Sequence, residues 1–264
     1  MNAVSDTLFH FLDRAHENEP EKQFDTFTSI IKKGLLFSSI SENLGSTTFA
    51  NTGICFTDIP LGMSEEHTKV YGKFGIGFKK EFVKNMGGNP AFYFDDWNYV
   101  NSFSENKLRG QFTDAIKEVA KLTLYLSEME KNGEKVNTLF RGIPICLTTY
   151  TNPLRQVLSN LKSCGDLGPA SDNTNRNDAY YKEREWRILY FLKHKELGYV
   201  NGEGRRIEGK GYIEKIYLKI NPSKDIRIIV TPNEDIRKKV INFFLKDGDS
   251  FIPTIINYDD FSKL

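Results

Sequence analysis

The chain has 264 residues, a length that can bury one sizeable hydrophobic core. Its 36 basic and 35 acidic residues give a net charge of +1, so no overall field attracts it to nucleic acid or to an anionic membrane. No window approaches the roughly 18 consecutive apolar residues of a spanning helix, and acidic residues are frequent near the start. We therefore expect neither a membrane span nor a signal peptide, and a cytoplasmic protein.

Cysteine and histidine are too sparse to predict a disulfide framework or a metal site. The chain has three cysteines, an odd number, and they show no CxxC or CxxH spacing: Cys55, Cys146 and Cys164. The four histidines do not cluster with acidic residues or cysteines. We expect reduced thiols and no bound metal.

The first part of the chain mixes short strands with a helix. Strands are predicted at 7–12, 53–57, 73–78 and 91–94, from alternating or continuous apolar runs bounded by turn residues. Between the first two, apolar residues at helical spacing predict a helix that ends at Gly34. These segments do not alternate as a doubly wound parallel sheet requires.

The second part begins with a long helix predicted from Ser102 to Met129, whose apolar stripe we interpret as facing the core. Strands are predicted at 213–220 and 226–230, and a helix follows at 234–246. The sequence therefore predicts an α+β fold with a mixed or antiparallel sheet. We expect a single domain over 1–264 with a helical insertion around 102–163.

The run from Tyr180 to Tyr190 carries two glutamates two residues apart. If it is one strand, Glu183 and Glu185 point to the same face and form a candidate carboxylate pair. A polar segment, 165–178, precedes it and is predicted to be a flexible loop, either a lid or a surface excursion. The alternative for the glutamates is an exposed strand start that forms salt bridges with neighbouring basic residues.

Several segments together resemble the AbiGi-like abortive-infection family of bacterial phage-defence proteins. They are Leu8 to Phe11, the CFTDIPL run from Cys55 to Leu61, His67 followed by Tyr71 to Phe78, and Glu183 to Arg187. The resemblance spans roughly residues 7 to 190, and its central block is the most specific part. That family is named from a two-gene system and described as the antitoxin partner, so the resemblance implies a role in phage defence.

The site pattern also resembles the mono-ADP-ribosyltransferase superfamily, including its DarT-like branch that modifies nucleic acid. This resemblance implies an ADP-ribosyltransferase-like sheet, NAD as substrate, Glu185 as catalytic glutamate, Glu183 as its partner at the acceptor, and His10 as a nicotinamide-riboside contact. A fixed carboxylate would stabilise the oxocarbenium charge that develops when nicotinamide leaves, and the second could accept a proton from the nucleophile.

The remaining candidate contacts are less specific. By the same resemblance, a middle strand begins after a Ser/Thr run that includes Ser46 and Thr47, and these two residues are candidate cofactor contacts. His67 and Tyr71 are one helical turn apart and form either a wall of the site or a surface turn.

The sequence leaves two functions open. One is a transferase effector that moves ADP-ribose to a nucleic acid or protein acceptor. The other is a non-catalytic antitoxin or sensor component that binds a cognate toxin, another partner protein or a phage product.

Overall fold

The structure is a computed structural model that describes residues 6–12, 19–44, 47–94, 110–131, 138–140, 143–145, 157–163, 184–207, 211–246 and 251–261. The chain groups into two compact units. One consists of Met1–Ser38, Thr52–Pro90 and Lys182–Leu264, and the other of Ser39–Asn51 and Ala91–Tyr181. The single-domain organisation with an insertion around 102–163 stays a prediction, and the loop predicted at 165–178 lies outside the described residues.

The strands are numbered in chain order over the described residues. They are β1 (Thr7–Phe11), β2 (Leu35–Leu36), β3 (Ser38–Leu44), β4 (Thr47–Thr57), β5 (Gly75–Lys79), β6 (Asn89–Pro90), β7 (Phe92–Phe94), β8 (Thr138–Phe140), β9 (Ile143–Ile145), β10 (Leu161–Ser163), β11 (Glu185–Leu189), β12 (Val200–Ile207), β13 (Gly211–Leu218), β14 (Ile226–Thr231) and β15 (Thr254–Asn257).

The helices are numbered in the same way. They are α1 (Pro20–Lys33), α2 (Glu65–Tyr71), α3 (Lys80–Asn85), α4 (Gly110–Lys131), α5 (Leu192–Glu196), α6 (Pro222–Asp225), α7 (Glu234–Lys246) and α8 (Tyr258–Phe261), with a 3₁₀ turn at Leu61–Met63. Within the described part of the chain, no helix combines the length and the apolar composition that crossing a membrane requires.

The largest sheet is open and mostly antiparallel. Its strands lie in the order β15, β14, β5, β1, β4, β11, β6, and β3 pairs with β4 beside this path. β14 and β15 run parallel, and the other neighbouring pairs along the path run antiparallel. Smaller sheets are formed by β12, β13 and β2, by the parallel pair β7 and β10, and by β8 and β9. The predicted α+β class with a mixed or antiparallel sheet is confirmed.

Most predicted elements are present with shifted ends. The strands predicted at 7–12, 53–57, 73–78, 91–94, 213–220 and 226–230 correspond to β1, β4, β5, β7, β13 and β14, and the predicted terminal helix is α7. The long helix α4 begins at Gly110 in the structure, and its predicted start at Ser102 lies outside the described residues.

Helices α1 and α7 close one face of the first unit over the sheet. Phe27 of α1 stacks on Phe74 with ring centroids 5.5 Å apart, and Phe244 of α7 meets Phe27 edge-on at 6.2 Å. Aromatic pairs in these arrangements contribute beyond their buried area. Apolar side chains from the central strands complete this core, namely Leu8, Ile54, Phe56, Ile76, Phe78, Ile188, Ile226 and Ile229.

In the second unit, part of the apolar stripe of α4 that was predicted to face the core is exposed. Ala120 and Thr123 are fully buried, whereas Val119 and Leu122 of the apolar stripe are 37% and 51% exposed. The hydroxyl of Thr123 donates to the carbonyl of Val119 at 2.7 Å, which satisfies its polar group inside the helix. The prediction that the stripe faces the core is therefore wrong for Val119 and Leu122, and the buried positions among the described side chains of α4 are Ala120 and Thr123.

Gly34 ends α1 at a position that only glycine fits. Its φ is 105°, and its N–H donates to the carbonyl of Ile30. A Cβ at this position would overlap the backbone carbonyl of Leu218, which cannot move without displacing β13. Gly34 thus both stops the helix and lets the chain pass close to the neighbouring strand.

Replacing Gly34 with alanine should destabilise the protein far more than the same change at Gly87. Gly87 also has a positive φ, 79°, but no atom lies within 4 Å of its Cβ position. Gly87→Ala should therefore lower the free energy of unfolding by about 1–2 kcal/mol, the cost of left-handed backbone alone. Gly34→Ala adds a clash and should lose about 3 kcal/mol or more. Urea unfolding of both variants measures the difference, and equal losses would contradict the close approach to Leu218.

Candidate functional site

The register of β11 on β4 determines which way Glu185 points. Glu185 pairs with Thr57 and Arg187 pairs with Cys55, and residues directly opposite in a sheet point to the same face. Ile54 and Phe56 alternate with these positions and belong to the main core. Glu185 and Arg187 therefore lie on the face of the sheet opposite that core.

Glu185 is held by Arg187 in a two-pronged ion pair. The arginine Nε donates to Oε1 at 2.9 Å, and its Nη2 donates to Oε2 at 3.0 Å. Arg187 is only 1% exposed and Glu185 is 9% exposed, so both charges are nearly out of water. Such a bidentate geometry fixes a carboxylate in place and occupies both of its oxygens. Glu185 is thus a buried, anchored carboxylate rather than an exposed strand start.

The strand that carries Glu185 is shorter than the sequence predicted. β11 begins at Glu185, and Arg184 before it has a φ of 44°, a left-handed conformation that is unusual for a residue with a side chain. The strand geometry that would place residues 183 and 185 on one face is therefore broken at Arg184. Glu183 itself lies outside the described residues.

Asp58 supports this unusual backbone at the edge of the sheet. Its N–H donates to the carbonyl of Arg184 at 3.1 Å, and its Oδ2 lies 3.8 Å from the Arg184 guanidinium. Lys80 donates to the same Oδ2 at 2.7 Å and lies 4.8 Å from the centroid of the Trp186 ring. The buried Asp58 thus joins three elements through charged contacts. Sequence reasoning gave Asp58 no role, although it lies within the CFTDIPL run.

His10 faces the main core, away from Glu185. It pairs with Ile76 in β5, and its ring lies 5.8 Å from that of Phe56. Its Nδ1 lies 2.8 Å from the carbonyl of Cys55, and because a carbonyl only accepts, the neutral ring carries its proton on Nδ1. Burial lowers the pKa of His10 below its usual value, and the hydrogen bond to Cys55 opposes this shift. The structure does not bring His10 and Glu185 onto one face.

His67 and Tyr71 do share a face of α2. Their rings stack with centroids 4.3 Å apart, and the ring of Phe11 lies 5.0 Å from His67 on the other side. Phe11 alternates with His10 along β1, so these rings lie on the opposite face of the sheet from His10. Thr47 is the first residue of β4, and Ser46 lies outside the described residues. The candidate cofactor contacts are thus divided between the two faces.

One cavity of about 200 Å³ lies elsewhere in the first unit, beside α5. It is lined by Asn85, Met86, Gly87, Phe191, Lys193, His194, Leu197 and Tyr199. The His194 ring has both nitrogens engaged, with Nε2 3.0 Å from the Met86 carbonyl and Nδ1 accepting from the Phe191 N–H at 3.1 Å. Pockets for small ligands usually enclose about 300–1,000 Å³. None of the candidate site residues lines this cavity.

Among the residues that the structure describes, no group of three or more His, Cys, Asp or Glu side chains is arranged to hold a metal ion. The buried carboxylates on and beside β11 each form an ion pair with a basic side chain. They form two internal ion pairs, one between Asp58 and Lys80 and one between Glu185 and Arg187.

This arrangement defines an α+β protein with a fixed ion pair on β11, the strand next to β6 at one end of the sheet. The family follows from sequence comparison. A family model described as "Putative abortive phage resistance protein AbiGi, antitoxin" matches residues 36–232. The chain belongs to this family, and the predicted AbiGi-like resemblance is confirmed. No curated protein and no solved structure matches the chain. The resemblance to mono-ADP-ribosyltransferases has no support among these comparisons.

Removing one member of the Glu185–Arg187 pair should cost more stability than removing both. Arg187→Met leaves the Glu185 carboxylate buried without its partner and should lower the free energy of unfolding by about 3–5 kcal/mol. The double variant Glu185→Leu/Arg187→Met removes both charges and should recover most of that loss. Urea unfolding of the single and double variants measures the coupling. Additive losses would show that the two side chains act independently.

The free energy of unfolding should fall as the pH drops through the range in which His10 is protonated in the unfolded chain but still neutral in the folded protein. The pKa of His10 is lowered in the folded state, so the unfolded chain takes up a proton first, near pH 6.5. The stability that the neutral, buried His10 contributes is fully present above pH 6.5. It is lost as the pH falls toward the pKa of His10 in the folded state, by at most about 1.4 kcal/mol per pH unit.

The matched control is His10→Asn, whose amide keeps a donor near Nδ1 but does not titrate. Urea unfolding at several pH values between 7.5 and 5 should give a steeper decline for the wild type than for this variant. Parallel curves would assign the pH dependence to other groups.

Proposed function

We propose that this protein is the antitoxin-like component of an abortive-infection system and acts by binding a cognate toxin. The observation that carries the proposal is the match of residues 36–232 to a family described as an antitoxin. An antitoxin of this kind needs a stable scaffold and a binding surface rather than a catalytic centre.

The geometry around Glu185 supports a structural role for the residue. A catalytic carboxylate acts on charge that develops in a substrate, and it must face that substrate. Both Glu185 oxygens accept hydrogen bonds from Arg187 at 2.9 and 3.0 Å. His10, the other residue expected at the substrate, lies on the opposite face of the sheet. These features favour a binding protein over a transferase that uses the two residues together.

The transferase hypothesis stays a prediction, and unlike the antitoxin function it requires NAD turnover. It needs NAD as substrate, with Glu185 as the catalytic group and Glu183 as its partner at the acceptor. The cofactor contacts would be His10, Ser46, Thr47, His67 and Tyr71. Nicotinamide release that depends on Glu185 would establish it, whereas an antitoxin needs no NAD turnover.

Co-expression with the toxin encoded in the same two-gene system tests the proposal. We expect the wild-type protein to relieve growth arrest caused by that toxin, and purified protein to release no nicotinamide from NAD, with or without cell lysate as acceptor source. The double variant Glu185→Leu/Arg187→Met, which removes the ion pair without leaving a lone buried charge, should protect as well as the wild type at equal soluble level.

Two results would overturn this assignment. One is growth arrest by this protein alone that the double variant abolishes, together with nicotinamide release that is lost in the same variant. The other is failure of the soluble wild-type protein to relieve the arrest caused by its cognate toxin. Glu185→Gln alone is a weaker test, because it also weakens a buried ion pair and can lower the amount of folded protein.

A further inference from the structure

The cavity beside α5 is a hollow that the fold keeps open. It measures about 200 Å³, opens partly to solvent, and lies between the turn that follows α3 and the segment from Phe191 to Tyr199. A hollow with apolar walls is costly, because the atoms on either side of it lose the contacts that a filled interior provides. The walls must therefore be held apart by other interactions.

His194 is the spacer that holds the two walls apart. Its side chain lies at the floor of the cavity, and the residue is only 6% exposed. Its Nε2 donates to the carbonyl of Met86, just after α3, at 3.0 Å, and its Nδ1 accepts from the N–H of Phe191, just before α5, at 3.1 Å. The rings of Phe37 and Tyr190, neither of which lines the cavity, lie 5.8 and 6.2 Å from the His194 ring and help to fix its position. One buried ring thus sets the distance between the walls.

Backbone hydrogen bonds make each wall rigid. On the α3 side the Gly87 N–H donates to the carbonyl of Lys84 at 2.9 Å, and on the α5 side the Tyr199 N–H donates to the carbonyl of His194 at 2.9 Å. No atom lies within 4 Å of the Cβ position of Gly87, so the space in front of the first wall is open. The cavity is therefore formed before anything binds, and a ligand can enter it without reordering the walls.

The polar atoms of the cavity floor already have partners. The walls are mostly apolar, and both nitrogens of His194 and the carbonyl of Met86 take part in the hydrogen bonds that hold the spacer. The polar lining side chains, Asn85 and Lys193, are exposed, and Lys193 pairs with Glu196. A polar group placed against the floor would lose its water without gaining a partner. The chemistry of the floor therefore selects an apolar, uncharged group.

The volume of the cavity sets the size of that group. Pockets for drug-sized ligands usually enclose about 300–1,000 Å³, so this cavity suits something smaller. An apolar cavity of about 150 Å³ binds benzene, and a cavity of about 200 Å³ therefore has room for one ring or two fused rings. The rings of Phe191, His194 and Tyr199 line the cavity, and aromatic rings form favourable offset or edge-on contacts with another ring.

We propose that this cavity is a binding site for a small, uncharged aromatic compound of one or two fused rings. The proposal does not rest on the antitoxin-like function, because the family match carries that function and the geometry of the cavity carries this one. A ligand in the cavity bridges the end of α3 and α5, and it stabilises the folded protein according to its affinity and its concentration.

Indole and purine are matched probes for the site, because both are fused-ring compounds of similar size. Calorimetric titration of the full-length protein should show saturable binding of indole with a dissociation constant of about 1 mM or below. Purine should bind at least about tenfold more weakly, because the floor offers no free partner for its additional ring nitrogens. Purine binding as tight as that of indole would overturn the apolar character of the site, and no saturable binding of indole would overturn the site itself.

A pair of leucine variants tests where indole binds. Leu197 and Leu192 are 51% and 73% exposed, and of these two only Leu197 lines the cavity. Leu197→Ala removes apolar wall surface and should weaken indole binding by about fivefold or more. Leu192→Ala should bind indole within about twofold of the wild type. Thermal unfolding without ligand establishes that both variants are folded, and equal losses of affinity would place indole elsewhere and overturn the proposal.

A second measurement locates the ligand without any substitution. In nuclear magnetic resonance spectra of the isotope-labelled wild type, indole should shift the amide signals of Gly87, Leu197 and Tyr199 most strongly. The largest shifts at residues away from the cavity would contradict the assignment. Relief of growth arrest is a separate experiment, so a failure of indole binding leaves the antitoxin-like function standing, and a failure of that function leaves the cavity proposal standing.

Discussion

A buried ion pair on β11 constrains the largest sheet. Glu185 and Arg187 lie two residues apart on β11, which pairs with β4 on one side and β6 on the other. A one-residue shift of β11 would turn both charges into the apolar core and turn Trp186 and Ile188 away from it. Moving two charges into an apolar core is far more costly than any single apolar exchange. The pair therefore fixes the register of β11, and the register fixes which side chains each face can present.

That constraint explains why the sequence led to a catalytic interpretation. From sequence alone, a Glu followed two residues later by an Arg is equally compatible with a substrate-facing carboxylate and with an internal bridge. The decision depends on which face of β11 is buried and on the conformation of Arg184, and neither is visible in the run itself. Similarly, His10 lies among apolar neighbours whether it serves a ligand or the core. Only its pairing with Ile76 places it against the core.

Local sequence patterns predicted the helices and strands more accurately than they predicted which elements pack or pair with each other. Period-two alternation and the residues at helix ends located β1, α1, β5, β14 and α7, because these signals act within a few residues. They could not assign the face of α4, since the buried positions that the structure describes include Thr123, a polar residue outside the apolar stripe, whereas Val119 and Leu122 of the stripe are exposed. The short strands β2 and β6 were missed for another reason. Two residues carry no periodicity, and both strands exist only through tertiary pairing.

The position of β1 has a consequence for how the protein is made in the cell. β1 lies in the middle of the sheet between β5 and β4, β5 in turn pairs with β14, and β4 pairs with β11. Almost half the chain separates Thr57 from its partner Glu185, so the sheet around β1 is complete only after the ribosome has delivered β11 and β14. A topology of such distant contacts folds slowly and leaves strand edges open during synthesis. Aggregation through the strand edges that β11 and β14 cover therefore competes with folding until both strands have been made.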